Sequence, residues 1–376
     1  MTTQKKFIIS GGGTGGHIFP AIAIADALKS RYPDSQILFI GAKGRMEMEK
    51  VPQAGYAIKA LPIMGLDRKR LWRNFLLIFK LIRSIRLAKK YIKEFQPTAV
   101  IGVGGYASLP TLLTAQEMGI PTFIQEQNSF AGKANKTLAS RAKAICVAYE
   151  GMDRFFPAEK LFLTGNPIRK EIEREALPSK VEASERLAIE TQDRPVIVVV
   201  GGSLGALTIN ESVQAHLEEI ANAGIALLWQ TGKKYIDTAE KRIAMLPIEQ
   251  QCYIKATPFI QKMADAYAIA DLMISRAGAS TVSELQLLGQ PSILVPSPNV
   301  AEDHQTHNAM ALSSRHAAIL VSDLDAPKEL VKTAITLVED RDQLARISQN
   351  AKAMALPSAA DKIVDIIDTT LTDNDK

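Results

Sequence analysis

Gly11-Gly12-Gly13-Thr14-Gly15-Gly16-His17-Ile18-Phe19-Pro20 follows directly on Phe7-Ile8-Ile9-Ser10. The short apolar run reads as a strand, and Pro20–Arg31 reads as a helix. Between them, five of the six positions 11–16 are glycine. Glycine lets a backbone approach another group closely and take up positive φ. A helix opening just after such a loop presents free N–H groups and the positive end of its dipole, an anion site most often used for phosphate. A tight turn needed only for packing is the plainer reading. His17 falls where the loop passes into the helix. Unperturbed imidazole titrates near pH ~6.5, a useful range for a general base, although a lone histidine is more often structural.

The same unit recurs. Ile37–Ile40, Ala99–Ile101 and Pro121–Ile124 read as further short strands separated by helical stretches. After Asn166-Pro167 the pattern weakens into a charged stretch. It restarts at Val196-Ile197-Val198-Val199-Val200, with Gly201-Gly202-Ser203-Leu204-Gly205-Ala206 directly behind. Ala226–Trp229, Leu272–Ile274 and Ser292–Val295 continue it. Continuous apolar runs of this length suit strands covered by helices on both faces, and alternating β and α units imply parallel sheets. The fold class is therefore α/β, with two Rossmann-like, doubly wound domains joined near residues 165–170. Ligands of such sheets bind outside the carboxyl ends of the strands. Two such domains facing each other would form a cleft with a glycine-rich loop on each wall.

Composition excludes several classes. The chain has 376 residues, 47% of them hydrophobic and 23% charged, as in an ordinary globular protein. Two cysteines, Cys146 and Cys252, make no disulfide framework and suit a reducing cytoplasm. The first residues lead straight into a strand, so no secretory leader is read. A net charge of +5 does not by itself indicate nucleic acid. No G-x-x-x-x-G-K-[ST] occurs, which argues against a P-loop NTPase. Gly11, Gly13 and Gly16 do satisfy G-x-G-x-x-G, so an NAD(P)-dependent oxidoreductase is an alternative. That fingerprint needs an acid at the end of the second strand, where this chain reads Gly41-Ala42-Lys43-Gly44-Arg45. Lys43 or Arg45 would suit a 2′-phosphate instead.

Several stretches together resemble one family. They are Gly12–Pro20, Gly104-Gly105-Tyr106-Ala107-Ser108, Glu126-Gln127-Asn128, Gly165-Asn166-Pro167-Ile168-Arg169, Gly201–Ala206, Ser275–Glu284 and Asp303-His304-Gln305-Thr306. In this order they resemble the MurG-type peptidoglycan N-acetylglucosaminyltransferases, glycosyltransferase family 28. The resemblance implies a GT-B fold and inverting transfer of N-acetylglucosamine from UDP-GlcNAc to the muramoyl 4-hydroxyl of lipid I, giving lipid II. It implies no cofactor and no metal at a DXD-type site. It implies an acceptor- and membrane-binding domain over about residues 1–167 and a UDP-GlcNAc-binding domain over 168–349. A last helix, from about 350 to 376, would pack back on the first. The place of action would be the cytoplasmic face of the cell membrane, peripherally, in company with other cell-wall synthesis or division proteins. Another nucleotide-sugar glycosyltransferase with a lipid acceptor, such as a diacylglycerol glucosyltransferase, is the nearest alternative.

Carried over by motif, the donor site includes Thr14, Gly15, Gly16, Asn128, Arg169 and Ser203. Ile260 meets the uracil. Ala279, Ser280, Thr281, Val282, Ser283 and Glu284 run along the nucleotide, with Glu284 on the ribose hydroxyls, and Gln305 meets the sugar. Gln125 stands where the family often has histidine, and Ala277 where some members have serine. The residues themselves suit this chemistry. The amides of Gly201–Ala206, with Ser203, Arg276 and Arg169, can stabilise a leaving diphosphate without a divalent cation. His17 is the first candidate for the base. Glu126 is the second, because a carboxylate in an apolar-walled cleft has its pKa raised. The plainer reading of Glu284 is a solvated acid on a helix face. Asp303-His304-Gln305-Thr306-His307 also reads as half a metal site, with Asp303 as a helix N-cap the duller explanation.

Between Asp67 and Glu94 no acid occurs, while ten lysines and arginines do. Leu71, Phe75, Ile78, Ile82 and Ile85 recur at helical spacing and read as the core face. Trp72, Leu76 and Phe79 fall on another side, interleaved with Arg73, Lys80 and Arg83. Apolar side chains mixed with cations suit contact with an anionic membrane surface. A second buried face and a nucleic-acid patch are the alternatives, the latter without an accompanying motif. The apolar run Phe75–Phe79 is far too short to span a bilayer.

Overall fold

The protein was analysed as a computed structural model that describes residues 4–64, 75–168, 172, 177–202 and 204–373. It divides into two compact units, Met1–Arg169 with Leu356–Lys376, and Lys170–Ala355.

The first unit runs β1 (Lys6–Ser10), α1 (Gly15–Arg31), β2 (Gln36–Ala42), α2 (Glu47–Gln53), β3 (Ala57–Leu61), α3 (Phe75–Phe95), β4 (Ala99–Gly102), α4 (Ser108–Glu117), β5 (Thr122–Glu126), α5 (Lys133–Leu138), β6 (Ala144–Val147) and β7 (Leu161–Leu163). Its seven strands lie in the order β3-β2-β1-β4-β5-β6-β7, every pair parallel. The winding reverses between β1 and β4, so the loops after these strands border the crevice where doubly wound sheets bind ligands. Alternation along β1 fills both faces. Phe7 and Ile9 pack with α1 on one side, and Ile8 packs under α3 and α4 on the other. The buried hydroxyl of Ser10 lies 3.0 Å from both Ile40 O and Thr111 Oγ1, tying β1 to its neighbours.

α1 begins at Gly15, earlier than Pro20 suggested. A proline inside a helix removes one N–H donor, here the one facing Gly16, while the glycines before it cost no side-chain clash. The C-terminal helix, Ala359–Asp373, lies against α1. Ala360, Ile363, Val364 and Ile367 are buried there. Each large side chain among them contributes about 1.5–3 kcal/mol. Lys5–Asp368 at 3.2 Å and Arg31–Asp365 at 2.5 Å rim the contact.

α3 turns a different face to the core than its periodicity suggested. Ser84, Ala88 and Ile92 are buried, with Leu81, Leu87, Tyr91 and Phe95 packed beside them. Ile78 is 55% exposed and Ile82 45%, so that stripe is not the core face. The small residues Ser84 and Ala88 decide the contact, because they let α3 approach its neighbours closely. Leu71, Trp72 and Arg73 lie outside the described residues, as do the side chains of Phe75 and Leu76.

The second unit runs α6 (Lys180–Leu187), β8 (Val196–Val200), α7 (Leu207–Ala215), α8 (Leu217–Asn222), β9 (Ala226–Gln230), α9 (Ile236–Ile243), α10 (Ile248–Gln251), β10 (Ile254–Thr257), α11 (Met263–Ile269), β11 (Leu272–Ser275), α12 (Ala279–Leu288), β12 (Ser292–Leu294), α13 (His304–Ser313), β13 (Ile319–Leu320), α14 (Ala326–Glu339) and α15 (Arg341–Ala353). Six parallel strands lie in the order β10-β9-β8-β11-β12-β13. The winding here reverses between β8 and β11. Trp229 is fully buried and donates its ring N–H to Asn210 Oδ1 at 3.0 Å, which satisfies the one polar atom of a large core side chain.

Candidate active site

In the first unit, the glycines after β1 make room for the chain itself. A methyl group at Gly105 would lie 2.3 Å from Gly12 O, so the turns after β1 and β4 touch backbone to backbone. A methyl at Gly12 would lie 2.4 Å from the carboxyl carbon of Glu47. That carboxylate, 1% exposed, accepts from Gly13 N at 2.8 Å and Ala42 N at 2.9 Å. An acid therefore does close the end of β2, but it comes from the start of α2 and spends both oxygens on backbone. Thr14, at the N-cap of α1, places Oγ1 3.0 Å from His17 Nδ1. Gly15 and Gly16 lead the helix with N–H groups that no intrahelical carbonyl can reach.

His17 stands beside the second turn. A methyl at Gly104 would lie 3.0 Å from His17 Cδ2 and 3.6 Å from Asn135 Nδ2. Asn135 in turn donates to Glu126 Oε2 at 2.9 Å. Glu126 is 2% exposed and accepts further from Gly132 N at 3.0 Å, Asn128 N at 3.1 Å and Asn128 Nδ2 at 3.2 Å. Burial raises its pKa above the ordinary carboxylate value, and these four donors partly offset the rise. Thr14, Gly15, Gly16, His17, Glu126 and Asn128 thus gather around the ends of β1, β4 and β5. Gly104, named in the sequence only within the Gly104–Ser108 motif, joins them, as does Asn135, which the sequence did not single out.

Gln125, in place of the family's frequent histidine, is fully buried. It donates to Asn166 Oδ1 at 2.9 Å and accepts from Gln127 Nε2, while Asn166 Nδ2 donates to Gln127 O at 2.9 Å. This closed amide cluster braces the strand end that carries Glu126.

In the second unit, the turn after β8 packs against the turn after β9. A methyl at Gly205 would lie 2.2 Å from Thr231 O. Gln230, 2% exposed, clasps both sides. Its Nε2 donates to Gly202 O at 3.0 Å, and its Oε1 accepts from Ile260 N at 2.9 Å. Arg276 Nη1 reaches Val295 O and Pro296 O, both at 3.1 Å, and pairs with Asp323, which also accepts from Thr208 Oγ1 at 3.0 Å. Its charge is therefore balanced within the unit. Ala279, Ser280, Thr281, Val282 and Ser283 form the opening turns of α12, which has no acid in its first turn. Glu284 is no solvated acid: it is 2% exposed and accepts from Tyr267 OH at 2.7 Å. Gln305 Oε1 accepts from Ser297 N at 2.8 Å, which leaves its NH2 as the donor. Asp303 stands at the head of α13 but in a left-handed conformation (φ 52°), and its carboxylate takes Thr306 Oγ1 at 2.7 Å instead of capping a backbone amide. Arg169 and Ser203 lie outside the described residues.

Comparison with known proteins matches this geometry to a family. The Glycosyltransferase family 28 N-terminal domain matches residues 7–147, and the family's C-terminal domain matches residues 196–363. A relative from Porphyromonas gingivalis is 57% identical over 97% of this chain and 95% of its own. One from Bacteroides thetaiotaomicron is 51% identical over 96% of each. Both are named UDP-N-acetylglucosamine–N-acetylmuramyl-(pentapeptide) pyrophosphoryl-undecaprenol N-acetylglucosamine transferase. The chain belongs to glycosyltransferase family 28. Among solved structures, MurG of Acinetobacter baumannii superposes with a TM-score of 0.75 at 30% identity, covering 97% of this chain and 99% of that one. Membership in family 28 ends the oxidoreductase alternative.

Proposed function

We propose that this chain transfers N-acetylglucosamine from UDP-GlcNAc to the muramoyl 4-hydroxyl of undecaprenyl-diphosphate-MurNAc-pentapeptide, lipid I, with inversion at C1, giving lipid II. The observation that carries this reading is 50–57% identity, over nearly the full chain, to relatives bearing that activity's name.

In this reading the second unit takes the nucleotide sugar. Uracil meets Ile260, in the segment that Gln230 pins to the glycine turn. Ala279, Ser280, Thr281, Val282, Ser283 and Glu284 lie along the nucleotide, with Glu284 on the ribose. The diphosphate sits on the amides of Gly201–Ala206 with the Ser203 hydroxyl, and Arg169 and Arg276 add positive charge. Gln305 donates to the sugar. The first unit takes the acceptor, and Thr14, Gly15, Gly16 and Asn128 complete the donor's surroundings. His17 accepts the proton of the attacking hydroxyl as its oxygen bonds to C1 and the C1–O bond to UDP breaks. Glu126, held by four donors, is the second candidate for that proton and orients the loop in either case. Backbone amides aimed at the departing phosphate stabilise its charge without reorganising.

The acceptor's lipid anchor requires the enzyme to meet a membrane. Among the described residues no helix is long and apolar enough to cross one. A peripheral contact at the cytoplasmic face rests on α3, where exposed Ile78, Phe79 and Ile82 precede exposed Arg83, Arg86 and Lys89. Apolar side chains ringed by cations suit an anionic lipid surface. By sequence alone, Trp72, Arg73, Leu76 and Lys80 are assigned to the same proposed membrane contact.

Product analysis tests the whole reading. With UDP-GlcNAc and vesicles carrying lipid I, the expected product is lipid II of inverted anomeric configuration. Transfer to diacylglycerol but not to lipid I would overturn it.

A further inference from the structure

Glu47 belongs to none of the residue sets proposed above, yet the first glycine turn is built around it. Its space is made by two glycines far apart in sequence. A methyl at Gly12 would meet its carboxyl carbon at 2.4 Å, and one at Gly41 would meet its Cγ at 2.6 Å. Its two oxygens accept from Gly13 N and Ala42 N, at 2.8 and 2.9 Å. Both neighbours are donors, so only an acceptor with two free oxygens fits; glutamine would set an NH2 against one of these N–H groups. The arrangement resembles an anion held by a glycine-rich turn, except that the anion is part of the chain.

We propose that Glu47 is the positioning residue of the first glycine turn, an internal anion that fixes Gly13 and thereby the Thr14–His17 pair. Gly13 takes φ +94°, in a region where nothing lies within 4 Å of a would-be Cβ, so its side imposes no conformation. The bond from its amide to Glu47 supplies the restraint. The next residue, Thr14, sets its hydroxyl 3.0 Å from His17 Nδ1. A second consequence follows for ligands: Gly13 N is spent internally, so an external anion meets the amides from Gly15 onward. The inference rests on reading His17 as the proton acceptor.

The test uses the full chain with UDP-GlcNAc and lipid I. Glu47→Gln should lower kcat by about a hundredfold, the scale of an ångström-level misplacement. In Glu47→Ala, formate should refill the site between Gly13 N and Ala42 N and restore much of the lost kcat, while formamide should not. His17→Ala should gain nothing from formate, and His17→Ala/Glu47→Gln should be no slower than His17→Ala alone. Wild-type kcat in both Glu47 variants, a loss in thermal midpoint alone, or a double variant whose losses multiply would overturn the proposal. If Glu47→Ala does not fold, the kcat and non-additivity of Glu47→Gln decide. Unchanged turnover in His17→Ala would instead sink the reading of His17, and formate recovery in Glu47→Ala is read independently of it.

Discussion

Gly11–Gly16 after β1 and Gly201–Ala206 after β8 each follow a buried parallel strand at the switch point of its sheet. The groups that hold them differ in charge. The first turn closes on the carboxylate of Glu47 through Gly13 N. The second closes on the neutral amide of Gln230, which bonds the carbonyl of Gly202 and leaves the turn's N–H groups aside. An internal anion lowers the positive potential that a glycine turn and helix dipole create, whereas an amide does not. In the proposed function the same sequence device sets a side chain for chemistry in one unit and keeps a site for diphosphate in the other. The difference lies in what the chain puts against the turn, not in the glycines.

The largest effect should come from the side-chain product of the first turn. His17→Ala is expected to lower kcat by about 10²–10⁴-fold, the usual contribution of a general base, with UDP-GlcNAc affinity kept. Steady-state kinetics beside calorimetric titration with UDP-GlcNAc separates the two quantities. A loss of affinity equal to the loss of rate would erase the division of labour between the turns. Next comes Gly205→Ala, which sets a methyl 2.2 Å from Thr231 O at a φ of +79°. Strain of about 1–3 kcal/mol should fall on the second turn and weaken UDP binding, while the thermal unfolding of the first unit is unaffected. A smaller effect is expected of Gln230→Met, which keeps the length and removes the amide. The buried Ile260 N then loses its acceptor, worth about 1–3 kcal/mol, and the KM for UDP-GlcNAc should rise about tenfold with kcat little changed. A kcat loss without a KM rise would show that the second turn also sets the reacting groups.

Much of the architecture was legible because its signals are local. Val196–Val200 is a continuous apolar run with a glycine turn behind it, and such a run has few structures open to it beyond a strand buried on both faces. The positions of Thr14, His17, Asn128 and Glu284 followed from motifs for the same reason. Glu47 was not legible. Its partners are backbone amides, which leave no pattern in sequence, and one of them is 34 residues away. The partner of Arg276 was not legible either, since Asp323 lies 47 residues on. On α3 the sequence reads as two apolar stripes, and neither is the core face, since Ile78, Ile82 and Phe79 are all exposed. That face falls to Ser84 and Ala88, whose small size matters only once a neighbouring helix is present.

A buried carboxylate beside the first turn also distinguishes its surroundings from the Gln230 clasp in their response to pH. Near the first turn, Glu126 is 2% exposed and its pKa is raised by burial from an ordinary value of 4.5. A raised folded-state pKa means the native protein binds more protons than the unfolded chain between the unfolded and the folded value. Stability from this group is therefore full below the unfolded pKa and is lost as pH rises through the folded one. Glu126→Gln removes that titration, although it also loses acceptors for the donors on Gly132, Asn128 and Asn135. The stability difference between wild type and Glu126→Gln should accordingly be larger at pH 5 than at pH 8 in denaturant melts. The clasp on the second turn has no titrating atom, so the corresponding difference for Gln230→Met should be flat across that range. A pH-dependent Gln230→Met difference, or a flat one for Glu126→Gln, would mean that the buried carboxylate beside the first turn does not set the difference in pH response.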